Sequence, residues 1–266
     1  MHLMTELLQQ VKRLYFFAFI GVVCASSAFA EAQTCAPSKS APKTVYWGDL
    51  HVHTSYSLDA FAFGATATPA DAYRYAKGEP LTLANGRVSQ IDRPLDFAAV
   101  TDHAATFDLL YLCTDPMNVD NDYCRTLREA RDNRDGRTLF NNYLLPIVGA
   151  ADPAPAAICD DKNFSCSNAM ANQWQRTQRA ANEANEPCAF TALIGYEWTA
   201  SPGGRHWHRN VIFRGNTVTE QPIDYVRYPE VSMLWQQLDA QCKPEDDCRV
   251  LTIPHNINWA DGGPTF

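Results

Sequence analysis

The chain has 266 residues, enough for one domain with a real core, and 46% of them are apolar. Its formal charge of −8 and the lack of any basic stripe exclude a nucleic-acid partner, because an acidic surface gains nothing from counterion release. They exclude a polyanionic substrate as well, although a local cationic pocket could hold one phosphate.

Residues 1–30 read as a secretory signal. Lys12 and Arg13 precede the apolar run LYFFAFIGVV, and Ala28-Phe29-Ala30 supplies the small-x-small pattern of a cleavage site after Ala30. An uncleaved anchor is the competing reading. Val23 is too large for the residue before a lipoprotein cysteine at Cys24. No other segment is apolar enough to span a bilayer, so the mature chain is expected to be periplasmic or secreted, without a membrane partner. Beyond the signal remain eight of the nine cysteines. An even number fits disulfides in an oxidising compartment, and no C-x-x-C pair points to a zinc module. Eight thiols allow many pairings; sequence proximity favours Cys113–Cys124, Cys159–Cys166 and Cys242–Cys248, leaving Cys35–Cys188.

Residues 31–43 are polar and rich in Pro and Ser, a flexible leader. The domain proper is expected over 44–266. Thr44–Val52 alternates as a strand. Thr68-Pro69-Ala70-Asp71 opens a helix running to about Lys77, with an N-cap, a first-turn proline and an acidic third position. Leu95–Thr101 is a nearly continuous apolar run, as in a buried parallel strand. A cysteine-rich insertion is expected at about 104–170, pinned by disulfides as a lid or wall. Helices follow at Met170–Asn185 and Pro229–Gln241, and strands at Phe190–Trp198, His208–Arg214 and Arg249–Pro254. Alternating strands and helices give an α/β fold. The chain stops at WADGGPTF, directly after a motif-bearing strand, which is the expectation for a fragment of a longer protein.

All six histidines beyond residue 30 sit beside strand-like runs. His51 and His53 are one residue apart at a strand end, so both face the same way, and Asp59 can fold back towards them. His103 ends the run LDFAAVTD, where parallel strands carry active sites. Asp102 beside it either orients an imidazole or caps a helix. In GYEWTASPGGRHWHRNVIF, a hairpin centred on Pro202-Gly203 sets Glu197 opposite His208 and Thr199 opposite His206, provided the register does not slip. His206 is then a substrate or supporting group. His255 follows the last strand. Arg205 and Arg209 flank HWH, and Arg209 is read as a fork for phosphate or sulfate oxygens. Together His51, His53, Asp59, His103, Glu197, His208 and His255 form the candidate metal set, with Asp102, His206 and Arg209 as catalytic companions.

In this order the motifs H-x-H with Asp59, Thr101-Asp102-His103, Gly195-Tyr196-Glu197, His208 and Ile253-Pro254-His255 resemble the PHP (polymerase and histidinol phosphatase) superfamily. GYEWT, HRNVIFR and TIPHN look like a secreted bacterial branch known as a domain of unknown function (DUF3604-like). The resemblance covers about 44–260. It implies a distorted (β/α)7 barrel, incomplete here at its C-terminus, holding two or three divalent ions, zinc or manganese with iron as an option. It implies phosphoester hydrolysis of a small molecule by metal-activated water. The family's late D-x-H motif is missing, through truncation or a degenerate site. Hydrolysis of a sulfate ester, carboxylic ester or amide, or non-catalytic metal binding, are the rival functions.

Overall fold

A computed structural model describes residues 44–262. The chain forms β1 (Gly48–Val52), α1 (Leu58–Ala62), α2 (Pro69–Ala76), β2 (Leu81–Thr82), β3 (Val88–Ser89), β4 (Phe97–Val100), α3 (Phe107–Cys113), α4 (Asp122–Asp132), α5 (Gly136–Leu139), α6 (Cys166–Ala184), β5 (Thr191–Trp198), β6 (Arg209–Phe213), α7 (Val231–Gln241) and β7 (Val250–Pro254). The signal and leader expected over 1–43 lie outside the described residues. Among the described residues no helix is long and apolar enough to cross a membrane.

The fold is mixed α/β, built on a curled, half-barrel sheet of five strands in the order β1-β4-β5-β6-β7. β1, β4 and β5 run parallel, whereas β6 runs antiparallel to both β5 and β7. The parallel crossovers carry the helices. Helix α2 starts at a capping box in which Thr68 and Asp71 each bond the other's backbone N–H. Helix α6 starts at Ser165, which accepts from the Asn168 N–H. Trp174 of α6 is fully buried, donates its indole N–H to the Thr219 carbonyl at 2.9 Å, and meets the Tyr196 ring edge-on at 5.5 Å. One side chain thus ties the helix to the centre of the sheet. Gly195 sits where strands crowd: a Cβ there would lie 3.0 Å from the Val211 carbonyl and 3.3 Å from Thr101 Cγ2, so only glycine leaves the neighbouring strands their spacing.

The region expected as an insertion is helical. Helices α3 to α5, and the π-helical stretch Phe140–Gly149 that follows them, enclose a second apolar core of Leu109, Leu112, Leu127, Tyr143 and Ile147. The bonds Cys113–Cys124 and Cys159–Cys166 staple it, and Cys242–Cys248 closes the loop after α7. These are the three short pairings that sequence proximity favours. Cys188 is disulfide-bonded too, and Cys35, its expected partner, lies outside the described residues. Such bonds persist in oxidising compartments.

Candidate metal centre

One end of the sheet collects the imidazoles. His51, His53, His103 and His255 lie at or just past the C-terminal ends of β1, β4 and β7, while Glu197 is near the end of β5. His208 instead precedes its strand, because β6 is antiparallel and its N-terminus lies at that same end. Backbone contacts extend the sheet into the site. His103 bridges Glu197 in parallel fashion, and the His255 N–H donates to the His208 carbonyl at 3.2 Å.

The register across β5 and β6 differs from the sequence expectation. Glu197 lies opposite Asn210 and Trp198 opposite Arg209, and the Trp207 N–H donates to the Ala200 carbonyl at 2.9 Å. The turn is centred on Gly203-Gly204, both with positive φ (64° and 81°), rather than on Pro202-Gly203. Moving the centre by one residue shifts the pairing by two. An even shift preserves which face each side chain occupies, so Glu197 and His208 still meet.

Glu197 is the hub and is fully buried. Its Oε1 lies 2.8 Å from His208 Nδ1 and 3.2 Å from His103 Nδ1. Its Oε2 lies 3.1 Å from His53 Nε2, 3.1 Å from His255 Nε2 and 3.2 Å from His51 Nε2. His51 and His53 also bring their Nε2 atoms within 3.1 Å of each other. On the outer side, Asp59 Oδ2 is 3.0 Å from His53 Nδ1 and 3.4 Å from His103 Nε2. The metal set read from the sequence is therefore one connected cluster.

Charge in the cluster is strongly coupled. Burial alone would raise the Glu197 carboxyl, but His103, His208 and His255 hold it well below its ordinary value. Burial likewise opposes ionisation of Asp59, and hydrogen bonds to His103 and His53 overcome it. Burial disfavours protonated His53 and His103. Their carboxylate partners outweigh it, raising His53 to about 9 and His103 to about 10. His208 moves the other way, because its burial exceeds what Glu197 alone returns.

A divalent ion fits these donors. Atoms bound tetrahedrally at about 2.0–2.2 Å lie roughly 3.3–3.6 Å from one another, close to the spacing of the imidazole nitrogens around Glu197. Both His255 ring nitrogens are buried without a hydrogen-bond partner, although Nε2 is 3.1 Å from the carboxylate. A buried imidazole nitrogen that makes no well-formed hydrogen bond beside a carboxylate is a donor that a shared cation satisfies. Three groupings have all their donor atoms within 4.8 Å: His51-His53-Glu197, His53-Asp59-His103 and Glu197-His208-His255. A fourth grouping, Asp108-Cys159-Cys166, is disqualified because its cysteines are bonded to each other.

The catalytic companions sit differently. Asp102 is fully buried and faces Thr54, accepting from its N–H and hydroxyl. Burial raises its carboxyl to about 6 against those two bonds. It clamps the turn after His53 rather than orienting an imidazole or capping a helix. His206 stacks on His208 with ring centroids 4.8 Å apart and does not reach Glu197. Arg209 belongs to the other face of the sheet, 1% exposed, with its guanidinium over the rings of Trp198 and Trp235. That correction follows from strand alternation: with His208 facing the cluster, its neighbour must face away.

Sequence reading missed four supporting side chains. Thr199 donates to Glu197 Oε1 at 2.9 Å, and Ser57 accepts from the His103 N–H at 3.1 Å. Ser201 Oγ is 2.7 Å from His208 Nε2, and Asn210 donates to the Leu50 carbonyl at 2.8 Å. Thr199 and Asn210 carried a signal, standing two residues beyond Glu197 and His208 respectively.

The sequence profile of the family described as Protein of unknown function (DUF3604) matches residues 40–265. No curated protein and no solved structure matches the chain.

Proposed function

We propose that this chain, which belongs to the DUF3604 family, is a metal-dependent hydrolase of small-molecule esters, phosphate esters foremost. The observation that carries the reading is the convergence of five imidazoles on the two oxygens of one buried carboxylate. His51, His53 and His255 gather on Oε2, and His103 and His208 on Oε1, with Asp59 beside His103. These two sets of residues, sharing Glu197, would hold the divalent ions. Donors so rich in imidazole suit zinc, and the carboxylates also admit manganese or iron. Divalent ions there supply Lewis acidity towards the ester and its attacking water.

The protein's own groups do the rest. Thr199 holds the Glu197 carboxylate, Asp102 fixes the turn that aims His53, and Ser57 anchors the His103 backbone. His206, stacked beside the cluster but outside its donor set, is the imidazole left to meet the substrate. The ordered motifs support placement in the PHP superfamily, and the half-barrel sheet is compatible with part of its distorted (β/α)7 barrel. The disulfides support a periplasmic or secreted setting.

Elemental analysis of the purified protein, paired with a panel of phosphate, sulfate and carboxylic esters, tests the proposal. Stoichiometric metal and chelator-sensitive turnover, both lost in His53→Ala, are the expected result. Full metal and rate in His53→Ala would refute the site, and metal without turnover on any ester would leave a binding protein.

A second reading rests on one chain of contacts: Ser201 Oγ to His208 Nε2 at 2.7 Å, and His208 Nδ1 to Glu197 Oε1 at 2.8 Å. That is the order of a serine-hydrolase triad. The Ser201 N–H, however, is committed to the Val148 carbonyl at 2.7 Å, so the nucleophile's own amide is not available to an oxyanion. Labelling of Ser201 by a fluorophosphonate in chelated protein would favour this second reading.

A further inference from the structure

Asp59 belongs to two places at once. One carboxylate oxygen touches His53 and His103, while its side chain, 37% exposed, helps to line a cleft of about 1230 Å³. The cleft lies between α1 with the loop after it, the β2–β3 turn, and the helical wall from Arg131 to Leu144. A simple phosphate monoester would leave most of it empty, since drug-sized ligands fill sites of roughly 300–1,000 Å³.

Its walls are mostly apolar. Phe63 is 92% exposed, Phe140 51% and Leu83 40%, and all three line the cleft with Leu144. Such a concentration of exposed large apolar side chains marks a binding surface rather than scattered surface residues. The charges present are largely spoken for. Arg131 pairs with Asp132 and lies over the Phe61 ring, and Asp59 is engaged by the histidines. Arg134, also on the wall, forms no ion pair with the described residues and is the cation left for an anionic group.

We infer that the substrate is an ester whose organic group is bulky and apolar, aromatic or long-chain, lying in this cleft with its reacting bond at the Asp59 edge of the cluster. The inference rests on the hydrolase reading for the bond and on the cleft alone for the organic group, so the two can fail separately. Continuity through Asp59, which lines the cleft and contacts His53 and His103, selects a substrate as the occupant.

The test uses anilinonaphthalene sulfonate, an anionic aromatic probe, on the chelated protein, and naphthyl phosphate against methyl phosphate on the zinc-loaded protein. One probe should bind per chain and be displaced by naphthyl phosphate. Phe63→Asp and Phe140→Asp should each weaken probe binding about tenfold, the scale of losing one buried aromatic. Each should also lower the ratio of kcat/KM for the naphthyl ester to that for the methyl ester by a similar factor. Phe63→Asp, at a nearly fully exposed position, guards against misfolding of the other variant. Unchanged probe affinity and an unchanged ester ratio in both variants would overturn the inference while leaving the hydrolase reading intact. If neither ester turns over, the phosphoesterase reading falls, and probe displacement still decides whether the cleft takes an aromatic anion.

Discussion

Replacing Glu197 by Gln keeps the shape of the hub and removes its charge. In chelated protein the five surrounding imidazoles then face a neutral amide, and His103 and His53 lose one of their two carboxylate partners. Removing one partner of a buried ion pair costs about 3–5 kcal/mol, because the other charge is stranded. Against a total stability of roughly 5–15 kcal/mol, that is a large share. For a domain of this size it lowers the melting temperature by roughly 10 °C. The loss should depend on pH with a defined sign. His53 and His103 have folded values raised to about 9 and about 10 from 6.5. Their contribution is fully present below 6.5 and is lost as pH rises through 9 and 10. Glu197 is shifted downwards, so its contribution is present above 4.5 and lost as pH falls further. The deficit of the variant should thus be widest between about pH 5 and 6.5 and narrow in alkali. Urea denaturation with chelator, followed by tryptophan fluorescence from pH 5 to 10, measures it. A variant within about 1 kcal/mol of the parent at pH 6, or a deficit independent of pH, would refute the assignment of Glu197 as the charge hub.

Arg209→Met should leave metal content unchanged and lower stability by roughly 1–3 kcal/mol, through lost stacking between Trp198 and Trp235; loss of metal in elemental analysis would contradict that placement. Asp108 is buried, and burial raises its carboxyl from 3.8 to about 7. Stability therefore falls as pH rises from 4 to 7, by at most roughly 4 kcal/mol, and Asp108→Asn should flatten that slope in denaturation curves compared at pH 5 and 8. Reducing agent should lower the melting curve of the chelated protein, since Cys113–Cys124, Cys159–Cys166 and Cys242–Cys248 close short loops that contribute about 2–3 kcal/mol each; an unmoved transition would show them to be dispensable.

The strands that carry the site were legible because each is a short alternating or apolar run with an unmistakable polar residue at one end. Thr44–Val52 contains β1, and Leu95–Thr101 contains β4 with one or two residues to spare. The capped start of α2 was legible for the same reason: Thr68 and Asp71 announce it locally. The helices α3 to α5 were not. Apart from Phe107, which joins the core of the sheet, their buried apolar residues face a small core of their own, and much of the order is supplied by disulfides and by Tyr143 reaching back to the Tyr123 carbonyl. No periodicity over a short, Asp-rich and Asn-rich stretch reveals contacts of that kind. Pro146 inside the π-helical stretch also reads as a breaker from sequence alone.

The site was more legible than the topology, and strand parity explains why. Misplacing the turn by one residue gave Glu197 the wrong partner, yet left it on the correct face with His208, because the pairing moved by two. His51 and His53 needed only their spacing to point together, and His255 met His208 through the next strand pair without either position being known in advance. Arg209 failed by the same rule. Adjacent to His208, it could not share its face, and the charge that looked suited to phosphate instead lies over two tryptophans. Thr199, two residues from Glu197, satisfies the rule and does reach the cluster. Face is thus inherited from sequence spacing, whereas partner identity waits on the turn. A cluster whose members all obey the spacing survives a register error of two residues, and only an error of one would have dispersed it.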